Sequence, residues 1–582
     1  MTPIISVAMI VRDEEKNLAA CLNSFRGEVD EIVIVDTGSR DGTLNIAREF
    51  TDKLYSYEWH GDFSAARNFA IAKCAGDWVL SLDADEQLEA EAGGLRQLIA
   101  SHPETEVFFL PLFMGSGVAC EQCAVLRLFR NTGEYRFFGK IHEQVMVNNP
   151  NVVVMAGAPV IRHKLVGGKD YNKKRHRNLQ LLKQALASEP DNYFLKYYLG
   201  VEWLCLDRHE KALPCLQEAA ANIDAGCVLF RGMAVRRLID CLKILGRLHD
   251  AFTVCLNEGK RYPGYTDIFF EIGTILAAKG KFDHAIDYFH KAIQLGSPPP
   301  VFYHLRGTES FLAFHQLGHC YEKTGFYELA ERYYWQALDV CPEYIGSLYG
   351  LFLLKISNLS APDVFAYFKN KNSLVYNQWV ERLASMFFEM GLPGLAAQCY
   401  KESPALSVGQ DIKQIKCLLY SGRIDEALAV INVTGCPKGR PEIATEEIVA
   451  HILNEDYDTA KRQTLVLWRN FPSQRSTAWA LLTIIARSTT GHGYSKPEDS
   501  RKTEVIRTYL AILQNCLRFK RLCPGMAQTS TLFNKLITTI MEILTKLSAE
   551  SNLELAEFFH NKAGEVRSLM DYKWISARGL YL

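Results

Sequence analysis

Apolar runs and helical periodicities alternate over the first third of the chain. Ile4 to Val11 is an apolar run rich in β-branched residues and predicts a strand. Leu18, Cys21, Leu22 and Phe25 follow at helical spacing, with Asp13 as the expected N-cap. Glu31–Asp36 predicts the second strand, and Thr37–Thr43 turns the chain into a helix carrying Leu44, Ile46, Ala47 and Phe50. A third strand is expected over Lys53–Trp59 and a third helix over Phe63–Lys73. Trp78–Leu82 is nearly all apolar, as in a strand buried on both faces. Strand–helix alternation on this scale implies a mostly parallel sheet with right-handed crossovers. Val125–Arg130 alternates like a further strand, and Ile161-Arg162-His163-Lys164 ends the last one expected.

From about Tyr193 the pattern changes to paired amphipathic helices. Small and aromatic positions recur as in tetratricopeptide repeats. Leu199-Gly200, Trp203, Ala212, Leu216 and Ala219 fit that template, as do Ile272-Gly273, Ala285, Phe289 and Ala292. The best copy is Leu317-Gly318, Tyr321, Gly325, Ala330, Tyr334, Ala337 and Pro342, with weaker copies around Ala251, Ala396, Ala427 and Ala460. Ala251 and Ala285 are 34 residues apart, the repeat period, whereas the 45-residue step to Ala330 leaves room for an insertion around Pro298-Pro299-Pro300. Beyond Thr490 the regularity fades: a loop is expected to Ser500, then capping helices over Glu504–Leu517 and Thr531–Leu547.

Composition narrows the field. Lys+Arg 65 against Asp+Glu 66 gives 582 residues a formal charge of −1, which argues against nucleic acid as a partner. No signal peptide and no transmembrane segment is expected. Sixteen scattered cysteines suit a reducing, cytoplasmic setting. Cys120-Glu-Gln-Cys123 is half a zinc site without a second pair nearby and reads as ordinary loop cysteines.

The candidate chemistry gathers at Leu82-Asp83-Ala84-Asp85-Glu86. Two carboxylates one residue apart stand at the end of a strand, where ligands bind in open α/β sheets. On an extended segment both point one way, and a divalent cation shared with a phosphate relieves their repulsion. A solvated strand end is the plain alternative. A nicotinamide-binding fold would need a glycine-rich first turn, but Val11-Arg12-Asp13-Glu14-Glu15 is acidic and glycine-free; no P-loop occurs either.

The ordered motifs Ile10-Val11-Arg12-Asp13-Glu14-Glu15, Val35-Asp36-Thr37-Gly38-Ser39-Arg40-Asp41-Gly42-Thr43, Asp62-Phe63-Ser64-Ala65-Ala66-Arg67-Asn68 and Leu82-Asp83-Ala84-Asp85-Glu86 carry a resemblance. Residues 1–190 resemble a family 2 glycosyltransferase with the GT-A fold. The branch they are most similar to carries a C-terminal tetratricopeptide array and includes S-glycosyltransferases that modify bacteriocin peptides. That branch usually has Asn where this chain has Asp13. The resemblance implies an α/β, Rossmann-like GT-A domain followed by an all-α solenoid. The boundaries expected are a transferase domain over 1–170, a connecting helix over 171–190, repeats over 191–475 and a helical cap over 476–582.

The resemblance also implies roles. Asp36 and Thr37 hold the uridine of a nucleotide-sugar donor, Arg67 and Asn68 contact the nucleotide or its phosphates, and Asp83 lies toward the ribose. Asp85 binds Mn²⁺ or Mg²⁺ bridging the diphosphate, and His163 is a metal ligand or phosphate donor. The same branch repeats the Gly139-Lys140-Ile141-His142-Glu143 segment. An acceptor must lose a proton as it attacks, so Glu143 is the expected general base with His142 as its substitute; a thiol acceptor would need less help. Lys173, Lys174, Arg175 and Arg177 read as a solvated helix face or as neighbours of the diphosphate. Because the array starts soon after His163, its first repeats are expected to shape the acceptor side. A peptide or protein acceptor is implied, with inversion at the anomeric carbon. An envelope saccharide or lipid-linked glycan acceptor stays open, as do a retired transferase on a binding scaffold and a homo-oligomer.

Overall fold

The structure is a computed structural model. It describes residues 3–91, 94–115, 117–163, 171–370, 373–402, 410–434, 440–491, 502–522 and 527–549. The chain divides into two compact units, 1–354 and 355–582.

The first unit opens with β1 (Ile5–Val11), α1 (Leu18–Ser24), β2 (Glu31–Asp36), α2 (Thr43–Arg48), β3 (Leu54–Ser56), α3 (Phe63–Ile71) and β4 (Trp78–Ser81). After these come β5 (Glu86–Glu89), α4 (Gly94–Ser101), β6 (Val107–Met114) and β7 (Glu121–Arg130). Short strands complete the domain: β8 (Phe137–Phe138), β9 (Gln144–Val145), β10 (Val153–Met155) and β11 (Val160–His163). The main sheet runs β3-β2-β1-β4-β7-β6-β11-β5, parallel from β3 to β4 and mixed beyond, because β7 runs against both β4 and β6 and β5 runs against β11. The central strands are apolar on both faces: Ile5, Val7, Met9, Val33, Ile34, Val35, Val79 and Leu80 are fully buried.

Asp13 does not cap α1. The helix begins after Asn17 without a side-chain cap. Asp13 instead takes a left-handed backbone conformation, accepts the Arg40 N–H at 2.7 Å and donates its own N–H to Ser39 Oγ. Glu14 N–H reaches Thr43 Oγ1 at 2.7 Å, so the turns leaving β1 and β2 are stitched together. The third strand is shorter than expected, and Asp83 and Asp85 lie in a turn beyond the end of β4 rather than on the strand. Lys164 lies outside the described residues.

Helix pairs follow: α5 (Tyr171–Ser188) leads into α6 (Tyr193–Cys205) with α7 (His209–Asn222), and α8 (Val228–Ile244) with α9 (Leu248–Arg261). Next are α10 (Thr266–Ala278) with α11 (Phe282–Leu295), a short strand β12 (His304–Leu305), and α12 (Phe311–Lys323) with α13 (Tyr327–Val340); α14 (Ile345–Ile356) reaches the unit boundary. A Cβ at Gly200, Gly273 or Gly318 would stand 2.7, 2.6 or 2.7 Å from Leu216, Phe289 or Tyr334, 16 positions later each time. The anchor alanines 212, 219, 251, 285, 292, 330 and 337 are fully buried, so paired helices meet at these small residues.

The insertion anticipated near Pro298 belongs to the sheet. Residues 304–305 pair antiparallel with β7, Arg306 N–H donates to the Cys120 carbonyl, and Tyr303 is buried in the core of the first domain. Arg237 of α8 forks onto Glu121 of β7 at 2.8 and 2.6 Å. The first repeats are therefore part of the same core as the sheet.

The second unit consists of helices from α15 (Ala361–Lys369) to α24 (Ala527–Ala549) among the described residues, with Ala396, Ala427 and Ala460 fully buried. The expected loop lies outside the described residues from 492 to 500, as does the cap beyond 549. No helix of the described residues is long and apolar enough to cross a membrane.

Candidate active site

The site is built where β1, β2, β4 and β11 end. Asp62 starts α3 by accepting the Ala65 N–H at 3.0 Å. The small buried residues Ala66 and Ala70 let this helix lie close to the sheet, which turns Arg67 inward. Arg67 Nη2 donates to Asp83 Oδ1 at 2.6 Å, and its Nε donates to Glu143. Arg127, on β7, donates from Nη2 to Asp83 Oδ2 at 3.0 Å and to Glu86 Oε1 at 2.6 Å. Glu86 also accepts the Asp83 N–H at 3.0 Å. Two guanidiniums and three carboxylates thus form one connected, largely buried set. Burial opposes ionisation of Asp83, but Arg67 and Arg127 outweigh it and hold its carboxyl well below the usual range. Burial raises Glu86 against the pull of Arg127.

Asp85 turns away from that network. Its Oδ2 stands 3.2 Å from His163 Nε2, with the two side chains 18% and 28% exposed. The register explains the pairing: β11 runs antiparallel to β5 with His163 opposite Glu86, one residue from Asp85. The hydrogen bond to Asp85 raises the His163 pKa. Glu14 stands nearby, its carboxyl raised by burial and by Asp85 and Asp83, while Asn17 and Lys174 pull it down.

The donor set of Asp85 and His163 fits a divalent cation. Two adjacent ligands of an octahedral ion at about 2.1 Å stand about 3 Å apart, which is the spacing of these two atoms, and the remaining positions are those that substrate phosphates and water fill. Among the described residues no group of three or more His, Cys, Asp or Glu side chains could hold a metal ion, so any ion here would take most of its ligands from substrate and solvent.

Asp36 is buried and accepts the N–H groups of Gly38 at 3.0 Å and Ser39 at 3.1 Å, while Thr37 Oγ1 donates to the Val11 carbonyl. Asp36 thereby closes the turn at the end of β2. Asn68 spends its amide on the Phe137 backbone, donating and accepting at 2.9 Å, which fastens β8 to α3. His142 lies flat on Tyr198 of α6, ring centroids 3.6 Å apart, with Nε2 buried and unpartnered. Burial and Arg175 push its pKa down to about 3. Glu143, 8% exposed at its side chain, is the member of the pair that joins the network.

The basic run on α5 divides. Arg175 bonds Glu202 of α6 at 3.2 Å, which corrects the solvated reading for that residue, whereas Lys174 and Arg177 are exposed. Glu86 and Tyr198 were not singled out from sequence, and Arg127 was noted there without a role. The signal for Arg127 was an arginine inside an otherwise alternating apolar strand; Tyr198 gave none, being one aromatic among many in a repeat. Cys120 and Cys123 are buried, and every described cysteine is free.

The fold is an α/β domain with a mostly parallel sheet carried on helical repeats. Residues 6–149 match the model of glycosyl transferase family 2, and residues 266–295 and 312–344 match the tetratricopeptide repeat. The N-terminal domain is thus a family 2 glycosyltransferase domain, and tetratricopeptide repeats follow it. A TPR repeat-containing protein of Synechococcus elongatus is 40% identical over 207 residues, 34% of this chain and 51% of the relative. The SPbeta prophage-derived glycosyltransferase SunS of Bacillus subtilis is 32% identical over 234 residues, 38% of this chain and 54% of that protein. The lipopolysaccharide core biosynthesis glycosyltransferase LpsC of Rhizobium meliloti is 33% identical over 155 residues, 24% of this chain and 57% of LpsC. The chain spans about half the length of the curated relatives it matches.

Proposed function

We propose that the protein is a metal-dependent, inverting glycosyltransferase that moves a sugar from a UDP-linked donor to a peptide or protein acceptor, in the cytoplasm. The observation that carries this reading is the Asp85–His163 pair at the sheet edge, beside an Asp83 locked between Arg67 and Arg127. Asp85 and His163 hold Mn²⁺ or Mg²⁺, which when bound neutralises charge on the departing diphosphate. Asp83, fixed as a carboxylate by two guanidiniums, orients the ribose. The turn that Asp36 and Thr37 close forms the floor of the uridine site, and Asn68 keeps the Phe137 strand in place beside it. Glu143 takes the acceptor's proton.

The acceptor class has a second reading. LpsC is named for lipopolysaccharide core biosynthesis, which favours a saccharide acceptor. Copurification with a peptide supports the first class, and transfer to glycan precursors supports the second.

The experiment is hydrolysis of UDP-glucose and UDP-GlcNAc with and without Mn²⁺. The expected result is turnover that stops on chelation and falls about 100-fold or more in Asp85→Ala, the scale for losing one charge-stabilising element. Turnover that neither chelation nor Asp85→Ala changes would overturn the proposal, as would a folded protein with no turnover on any nucleotide sugar.

A further inference from the structure

Glu143 sits on the loop between β8 and β9, whose Phe138 and Gln144 pair across it. Lys140 accepts the Phe63 N–H through its carbonyl at 2.9 Å, and Glu143 is tied to Arg67. The loop is tightly bent: Gly139 and His142 both have left-handed backbones, with φ of 96° and 52°. Such a conformation at a non-glycine residue persists only where its surroundings fix it. Part of what fixes it comes from the first repeat. The Tyr198 ring covers the His142 ring at an interplanar angle of 2°. One residue of α6 therefore packs on the residue next to Glu143. Tyr198 in turn is embedded in the repeats, packed against their core and against Tyr197.

We propose that Tyr198 is a positioning residue for Glu143, so that the first tetratricopeptide helix, and not the transferase domain alone, sets the place of the proton acceptor. This rests on the reading of Glu143 as general base given above. It implies a division of labour: the network of Arg67, Arg127, Asp83 and Glu86 arranges the donor side without the repeats, while the acceptor side is completed by them. A displaced base costs turnover without weakening donor binding, because Tyr198 touches none of the groups assigned to the donor.

The test uses the full chain with Tyr198→Ala, Tyr198→Leu and Tyr198→Phe, reading Mn²⁺-dependent hydrolysis of UDP-glucose or UDP-GlcNAc alongside UDP binding by calorimetry. Tyr198→Leu keeps apolar bulk should the alanine variant fail to fold. The expected result is a fall in kcat of about tenfold to 100-fold in the alanine and leucine variants, with the Kd of UDP within about twofold of the parent. Tyr198→Phe, which keeps the ring stack, recovers most of the activity. Folded alanine or leucine variants with parental kcat would overturn the inference, as would equal losses in kcat and UDP binding. Absence of metal-dependent turnover in the parent chain would instead overturn the functional reading on which it rests.

Discussion

A histidine between two carboxylates sets the clearest residue-level expectation. His304, the first residue of β12, is buried, with Nδ1 2.8 Å from Asp267 and Nε2 3.3 Å from Glu309. Burial alone would lower its pKa, but the hydrogen bonds to Asp267 and Glu309 prevail and hold it up at about 9. An unfolded histidine titrates near 6.5, so the folded state binds the proton more tightly. The resulting stability is fully present below about pH 6.5 and is lost as pH rises to about 9, on the order of 3 kcal/mol at most. Melting curves from pH 6 to 9.5 should show the parent's Tm advantage over His304→Asn shrinking as pH rises. An advantage that does not change with pH would contradict the charged state of His304. At the same scale, Asp85 was legible as a candidate from its place at a strand end, and His163 through the family resemblance. Their direct pairing was not, because it depends on the β5–β11 register, which joins positions 78 residues apart.

Among the elements, three of the four helix pairs of the first unit follow one rule, and it was visible in the sequence. A glycine on the first helix meets a large apolar side chain on the second, and a 16-residue spacing repeats it three times in the first unit. At Gly273 an added methyl would press on the fully buried Phe289 ring. Overpacking of this kind costs about 1–3 kcal/mol, offset by up to about 1 kcal/mol from better helix propensity. Gly273→Ala should therefore lower the Tm of the first unfolding transition by a few degrees in a calorimetric scan; a raised Tm would mean that the helices are less closely packed than described. The first β–α alternations were also legible, because their strands are continuous apolar runs. The reversal at β7 was not, since an alternating strand such as Val125–Arg130 carries no mark of its direction. Asp13 misled for a related reason: its type suits an N-cap, but the chain bends back toward the β2 turn before α1 begins.

For the molecule, the boundary expected near residue 170 is a change of secondary structure rather than a division of cores. Leu229 and Met233 of α8 pack on the transferase core, Tyr303 lies within it, and β12 extends its sheet. A chain cut after residue 190 loses all of these and exposes buried apolar surface, whereas a chain cut after residue 354 keeps the whole first unit. The expected outcome is that 1–354 is soluble, melts cooperatively by circular dichroism and retains donor hydrolysis, while 1–190 aggregates or melts at much lower temperature. Equal stability of the two would show that the repeats are an independent appendage. In the sequence this merging was marked only by the short distance from His163 to the array and by the long step between Ala285 and Ala330, whose extra residues carry a strand for the neighbouring sheet.

Calorimetric titration of UDP tests whether Asp85, with His163, grips a cation that in turn grips a nucleoside diphosphate. Binding in the presence of Mn²⁺ is expected to weaken at least about tenfold, roughly 1.4 kcal/mol, on chelation or in Asp85→Ala. UDP bound equally well with and without the metal, or equally well by Asp85→Ala, would contradict it.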